Sequence, residues 1–287
     1  MPGRLLATLS GFLGALLLLG AGVLPAAAED ARAQNVAVVF VGGYGSNLAS
    51  ATADFAPIKA ALVDRGARVS FVQFSYGGWH APSCGQSQPD YTPDNTAQDI
   101  ELSKRNLIGT LRMLRAECAA SRIVVIGHSL GGLVAFQAVA DQPVPGVTDI
   151  VTIDSPLGGI SPDIVWSCVD FGLCIDGPIV AYLANLNSAW SQTELDNAAK
   201  ATQLALTGTR VSAWGNQSDC FYNLAVCAPF VRALFGNVDA RETQWLGIPD
   251  AIRRDYVSPR RLSSLRISHK AVLSTAASDI ALDLLPI

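Results

Sequence analysis

Strand-like apolar runs alternate along this chain with stretches of helical period. Val36–Val41 is a continuous run of β-formers, the pattern of a strand buried on both faces. Phe55–Arg65 then reads as a helix, with Gly66 suited to end it. Arg68–Phe74 is the next strand. Thr96–Ala119 reads as one long helix, because Ile100, Leu107, Leu111, Leu114 and Cys118 recur at helical spacing and share a face. Ile123–Ile126 is a strand that leads, through a glycine-rich turn, into an apolar helix at Leu133–Ala140. Asp149–Ile153 and Thr209–Trp214 are later strands, Ser191–Thr207 is helical, and Lys270–Leu285 is a closing helix. Strands alternating with helices predict an α/β fold, with a mostly parallel sheet flanked by crossover helices.

Two stretches break the rhythm. Ile160–Asn187 is rich in aromatic and aliphatic residues and is interrupted by Pro162 and Pro178, with neither a clean strand nor a clean helix period. Asp219–Leu262 is irregular, with one candidate strand near Arg241–Leu246. The chain shows no internal repeat.

Composition narrows the picture. Half of the 287 residues are hydrophobic, enough for one sizeable core in a single large domain. The net charge is −4 and no basic run occurs, which excludes a nucleic-acid partner. The first residues read as a targeting segment: Arg4, a leucine-rich core at Leu13–Leu19, then Ala26-Ala27-Ala28 as a cleavage site, with Ala31-Arg32-Ala33 as a second. Residues 1–28 are therefore expected to be a signal peptide and 29–287 an exported domain. Six cysteines fit that compartment. Cys168 with Cys174 and Cys220 with Cys227 are near enough in sequence to close small loops, which leaves Cys84 with Cys118. No Cys-x-x-Cys pair occurs and the chain has three histidines, so neither a metal nor a cofactor is expected.

The candidate chemistry lies at Gly127-His128-Ser129-Leu130-Gly131. A Gly-x-Ser-x-Gly turn between a strand and a helix is a nucleophile elbow, which presents the serine hydroxyl at the end of a sheet. That hydroxyl needs a base, and the base needs an acid to orient it. His128 sits inside the elbow and His80 precedes it, so His269, ahead of the closing helix, is the expected base. Asp219, in the polar turn after Thr209–Trp214, is the expected acid. Asp154, in Thr152-Ile153-Asp154-Ser155-Pro156, is the alternative. The oxyanion of an acyl transfer needs two N–H donors. They are expected from Leu130 and from the turn Gly42-Gly43-Tyr44-Gly45-Ser46, which lacks the Gly-Lys-Ser/Thr of a phosphate-binding loop.

With these pieces in place, the chain resembles the α/β-hydrolase superfamily, in particular its secreted lipase and esterase branch. The resemblance rests on 39–46, on Gly-His-Ser-Leu-Gly-Gly at 127–132, on Thr-Ile-Asp-Ser-Pro-Leu-Gly-Gly at 152–159, and on the order Ser129, Asp219, His269. It implies an eight-stranded-type sheet with the triad at its carboxyl edge, and Tyr44 and Leu130 as oxyanion donors. It also implies a lid inserted within 160–207, stiffened by Cys168 and Cys174. The implied activity is hydrolysis of lipid or other apolar acyl esters through an acyl-enzyme, with transient contact with a lipid surface. The same machinery serves acyltransferases and thioesterases. A non-catalytic binding protein on this fold is the remaining alternative.

Overall fold

A computed structural model describes residues 35–78, 89–170, 172, 174–219, 222, 241–256 and 265–284. The expected signal peptide and Cys84, Cys220 and Cys227 lie outside these residues.

Six strands form one parallel sheet in the order β2-β1-β3-β4-β5-β6. They are β1 (Val36–Val41), β2 (Val69–Gln73), β3 (Arg122–His128), β4 (Val147–Ile153), β5 (Arg210–Asn216) and β6 (Asp250–Arg254). The sheet is buried on both faces, and β1 shows why its sequence is apolar throughout. Ala37, Val39 and Val41 enter one core, with α3 (Ile100–Ala116), α4 (Leu130–Asp141), α6 (Pro178–Ser188) and α7 (Trp190–Leu206). Val38 and Phe40 enter the other, with α2 (Ala56–Asp64), α8 (Leu265–Thr275) and α9 (Ala277–Asp283). Strand residues alternate sides, so a strand covered twice has no polar position to offer.

The chain leaves β1 toward β2 on one side and returns to β3 on the other. The carboxyl ends of β1 and β3 thus flank the point where the strand order reverses, the place where parallel sheets open a crevice. Ser129 follows β3 at that point.

Several elements differ from the sequence expectation. A helix α1 (Leu48–Asp54) precedes α2; it is short of apolar residues and is started by a capping box between Asn47 and Ser50. The long helix expected from Thr96 is divided. A 3₁₀ turn at Pro93–Ala97 ends at Gln98, whose extended backbone breaks the path before Asp99 caps α3. The irregular segment contains helices α5 (Pro162–Asp170) and α6, each with a proline in its first turn, where proline is tolerated. The strand expected near Arg241–Leu246 is a 3₁₀ turn at Arg241–Gln244, and the strand is β6, further on. Charged ends (Asp250, Arg253, Arg254) hide β6, because an edge strand tolerates polar residues. The closing helix begins earlier than Lys270, so His269 lies within α8 rather than in a loop ahead of it. Among the described residues the sheet has six strands, against the eight that the resemblance implied.

Candidate active site

Ser129 sits between β3 and α4 with φ 54° and ψ −130°. A non-glycine residue pays roughly 1–3 kcal/mol for such a backbone, a cost typical of functional turns. The surroundings hold it there. Its N–H donates to the Ile153 carbonyl at 2.8 Å, and its own carbonyl accepts from Gly132 at 3.1 Å. The turn depends on close backbone approach. A Cβ on Gly131 would lie 2.1 Å from the Val41 carbonyl oxygen, and one on Gly43 would lie 2.9 Å from the Ser129 Cβ. Glycine at these positions lets α4 and the turn after β1 close on the serine from two sides. The first N–H groups of α4, Leu130 among them, have no intrahelical acceptor and face the same end of the sheet. Tyr44 follows Gly43 in that turn, and its hydroxyl donates to the Ile175 carbonyl ahead of α6. Burial pushes the Tyr44 phenol up to about 12.

His269 Nδ1 and Asp219 Oδ2 are 2.6 Å apart, in a pair where His269 is 8% exposed and Asp219 not at all. Asp219 is placed by a turn at the end of β5, its N–H donating to the Asn216 carbonyl at 3.1 Å. His128 is also buried. Its Nε2–H donates to the His269 main-chain carbonyl at 3.1 Å, and the two rings lie 4.7 Å apart. Burial, reinforced by the neighbouring His269, lowers the His128 imidazole well below its usual range, so it is neutral. The structure thus brings Asp219 to His269 and leaves His128 as a support for the α8 backbone. His80 lies outside the described residues.

Asp154 ends β4 at φ 44° and is fully buried. Its Oδ1 accepts the Asn216 N–H at 2.7 Å. Desolvation first, and the Asp219 charge second, raise its carboxyl well above the ordinary carboxylate range. One cluster among the described residues has donor atoms near enough to hold a metal. It is Asp154, Asp219 and His269, whose atoms lie within 4.8 Å of one another. Its His269 Nδ1 is already engaged by Asp219.

Two contributors carried no sequence signal of their own. Tyr222 is buried, donates its hydroxyl to the Asp154 carbonyl at 2.6 Å, meets the Ser129 side chain, and stands edge-on to the His269 ring at 5.4 Å. Gln244, from the 3₁₀ turn, accepts the Asn216 N–H at 2.8 Å and donates to the Asn216 carbonyl at 3.2 Å, in the way a neighbouring strand would. Cys168 of α5 is bonded to Cys174 in the loop that leads to α6, and Cys118 is also in a disulfide.

The chain that carries this strained serine and this buried histidine–carboxylate pair is matched over most of its length by a family model. That model, the alpha/beta hydrolase family, aligns with residues 38–266. The chain belongs to this family. The fold is accordingly the α/β-hydrolase fold. No curated protein matches the chain. Among solved structures, this hydrolase is similar to the mature form of the Bacillus licheniformis lipase BlEst2, with a TM-score of 0.56 and 14% identity, covering 88% of this chain and 93% of that one. The propeptide form of the same lipase matches with a TM-score of 0.55 and 13% identity, over 88% of this chain and 51% of that one. A lipase-esterase related protein from Clostridium acetobutylicum matches with a TM-score of 0.45 and 16% identity, over 87% and 93% of the two chains. At such identity the likeness to the Bacillus licheniformis lipase is one of fold.

Proposed function

We propose that this α/β hydrolase is an exported serine carboxylic-ester hydrolase, acting on lipid or other apolar acyl esters through an acyl-enzyme. The observation that carries the reading is the 2.6 Å pair between His269 of α8 and Asp219 of the turn after β5, on the same sheet that carries Ser129 in its strained elbow. The lipase named above, which shares the fold, supports the choice of ester chemistry.

In this mechanism Ser129 Oγ attacks the ester carbonyl carbon and passes its proton to His269 Nε2. Asp219 holds the ring with Nδ1–H toward itself, so that Nε2 carries no proton and acts as the base, and it stabilises the imidazolium that forms. The oxyanion accepts N–H bonds from Leu130 and Tyr44. Collapse expels the alcohol, which takes the proton from His269, and leaves the acyl group on Ser129. Water, deprotonated by His269, then attacks the acyl carbon. The second collapse releases the carboxylic acid and restores the serine. Within 160–207 the lid is α5 and the loop that leads to α6, since α7 packs in the core against the sheet. Ile175 within it is tied to Tyr44 of the oxyanion turn, so cover and donor loop are joined. No helix of the described residues is long and apolar enough to cross a membrane. The export signal lies in residues 1–28, and a lipid surface is the transient partner.

Fluorophosphonate labelling of the full chain, with peptide mapping, tests the nucleophile, and a p-nitrophenyl ester series tests the substrate class. The expected result is one adduct on Ser129 and turnover that rises with acyl chain length. An adduct on another serine, or none, overturns the mechanism. Turnover of thioesters in preference to esters overturns the substrate class.

A further inference from the structure

The catalytic scheme assigns no task to Asp154, yet this residue occupies a strained, fully buried position beside the acid. Its Oδ1 is satisfied by the Asn216 N–H at 2.7 Å. Its Oδ2 is buried, and no donor among the described residues reaches it. The Asp219 carboxyl is its polar neighbour, with oxygens of the two residues within 4.8 Å of each other. Two buried carboxyls at this separation are held together when one of them carries a proton that the other accepts. Like charges this close, away from water, do not both persist. Asp219 already receives the His269 Nδ1–H. Asp154 has no such cation or imidazole donor on Oδ2, so the proton belongs there.

We propose that Asp154 is a positioning residue for the catalytic acid: an un-ionised carboxyl whose Oδ2–H donates to the Asp219 carboxylate and fixes it toward His269. The proposal rests on the reading of Asp219 and His269 as acid and base. Burial and the Asp219 charge favour the un-ionised form. The titratable groups facing Asp154 are Asp219 from the turn after β5, His269 from α8, Tyr222, and Tyr256 beyond β6. Tyr222 donates to the Asp154 carbonyl and the Asp154 N–H donates to the Trp214 carbonyl, so backbone and side chain are both fixed. The residue thus links β4, β5 and the acid in one hydrogen-bonded unit.

Infrared difference spectroscopy of the full chain at mildly alkaline pH, wild type against Asp154→Asn, reads the proton directly. The expected difference is the carbonyl stretch of an un-ionised acid, lost in the variant. A difference containing only carboxylate bands overturns the proposal. A kinetic arm separates positioning from bulk structure. Asparagine can offer an amide N–H to Asp219 and its oxygen to Asn216, so Asp154→Asn keeps kcat/KM near the wild-type value, with the acid limb of the pH profile in place. Asp154→Ala lowers kcat/KM about ten- to hundredfold, the scale of one hydrogen bond to a charged group. It also moves the acid limb to higher pH, because an anion stripped of a donor holds protons more tightly. The Asn216 N–H keeps its Gln244 acceptor in that variant, so the loss is not an orphaned amide. An Asp154→Asn enzyme as impaired as Asp219→Asn would make Asp154 the ionised acid and sink the proposal. So would an unmoved pH profile in Asp154→Ala. If the wild type hydrolyses no ester, the proposed function fails, while the infrared arm still locates the proton.

Discussion

Asp219 and His269 are fifty residues apart in sequence, yet their buried side chains meet at 2.6 Å. The carboxylate selects the imidazole tautomer with hydrogen on Nδ1. Asparagine in its place offers an N–H instead and selects the wrong tautomer. Asp219→Asn is therefore expected to lower kcat by roughly four orders of magnitude with the fold intact. Steady-state rates alongside circular dichroism check this. A loss below tenfold would place the acid elsewhere.

The elbow makes a prediction about stability. In Gly131→Ala the new methyl meets the Val41 carbonyl oxygen at 2.1 Å, a backbone atom that cannot swing aside as a side chain would. Helix α4 must move off β1, at a cost of about 3 kcal/mol, the upper range for overpacking. Urea unfolding measures it, and an unchanged midpoint would mean that the turn is looser than its geometry indicates.

Much of this fold was legible because its strands are short apolar runs. β1, β3, β4 and β5 lie close to their expected positions because burial on both faces favours apolar residues along them, and the edge strand β2 is found by its Val69, Phe71 and Val72. β6 was not legible: an edge strand with Asp250, Arg253 and Arg254 has no such pattern. Helix α1 was missed because a capping interaction, Asn47 with Ser50, starts it rather than an apolar stripe. At the site, the serine turn was visible because glycine, serine and glycine at fixed spacing follow from close packing. Asp219 was one of two aspartates at strand ends, and sequence could rank but not separate them. Tyr222 and Gln244 are ordinary loop residues until the fold brings them to Asp154 and Asn216.

The Cys168–Cys174 bond closes a loop between α5 and α6. Cross-linking positions six apart in sequence removes about 2 kcal/mol of loop entropy from the unfolded chain. If 160–207 is the lid, replacing both cysteines by serine loosens the cover more than the sheet. Activity on long acyl esters is then expected to fall while short soluble esters are still turned over. Chain-length profiles of the two proteins, with thermal melts, check it. Identical profiles would remove the lid from the mechanism.

Tyr44 joins the turn after β1, the proposed source of an oxyanion donor, to the Ile175 carbonyl. Tyr44→Phe keeps the ring and removes that donor, at a cost of about 1 kcal/mol, the net value of a typical hydrogen bond. The lost tie acts through the backbone position of residue 44, so kcat is expected to fall more than KM rises. An effect confined to KM would assign Tyr44 to substrate binding instead.

The last prediction concerns pH and stability, and it sets two buried groups against each other. His128 is held neutral in the folded protein, well below its ordinary 6.5. Below that pH the unfolded chain takes up a proton that the native chain refuses. The His128 contribution is thus complete above 6.5 and is lost as pH falls, at about 1.4 kcal/mol per unit. Asp154 behaves in the opposite sense. Its folded carboxyl is raised well above its ordinary 3.8, so above that value the unfolded chain releases a proton that the native chain keeps. Its contribution is therefore lost as pH rises toward the folded value, with the same limiting slope. In acid solution the two slopes oppose each other, and above 6.5 the His128 slope is gone. His128→Asn removes the first slope, so stability is expected to decline already from weakly acidic pH. Asp154→Asn removes the second, so stability is expected to rise toward neutrality and then level off. Urea midpoints across this range for the wild type and both variants decide the matter. If His128→Asn shows the same pH dependence as the wild type, His128 is not the neutral buried imidazole that its bond to the His269 carbonyl requires.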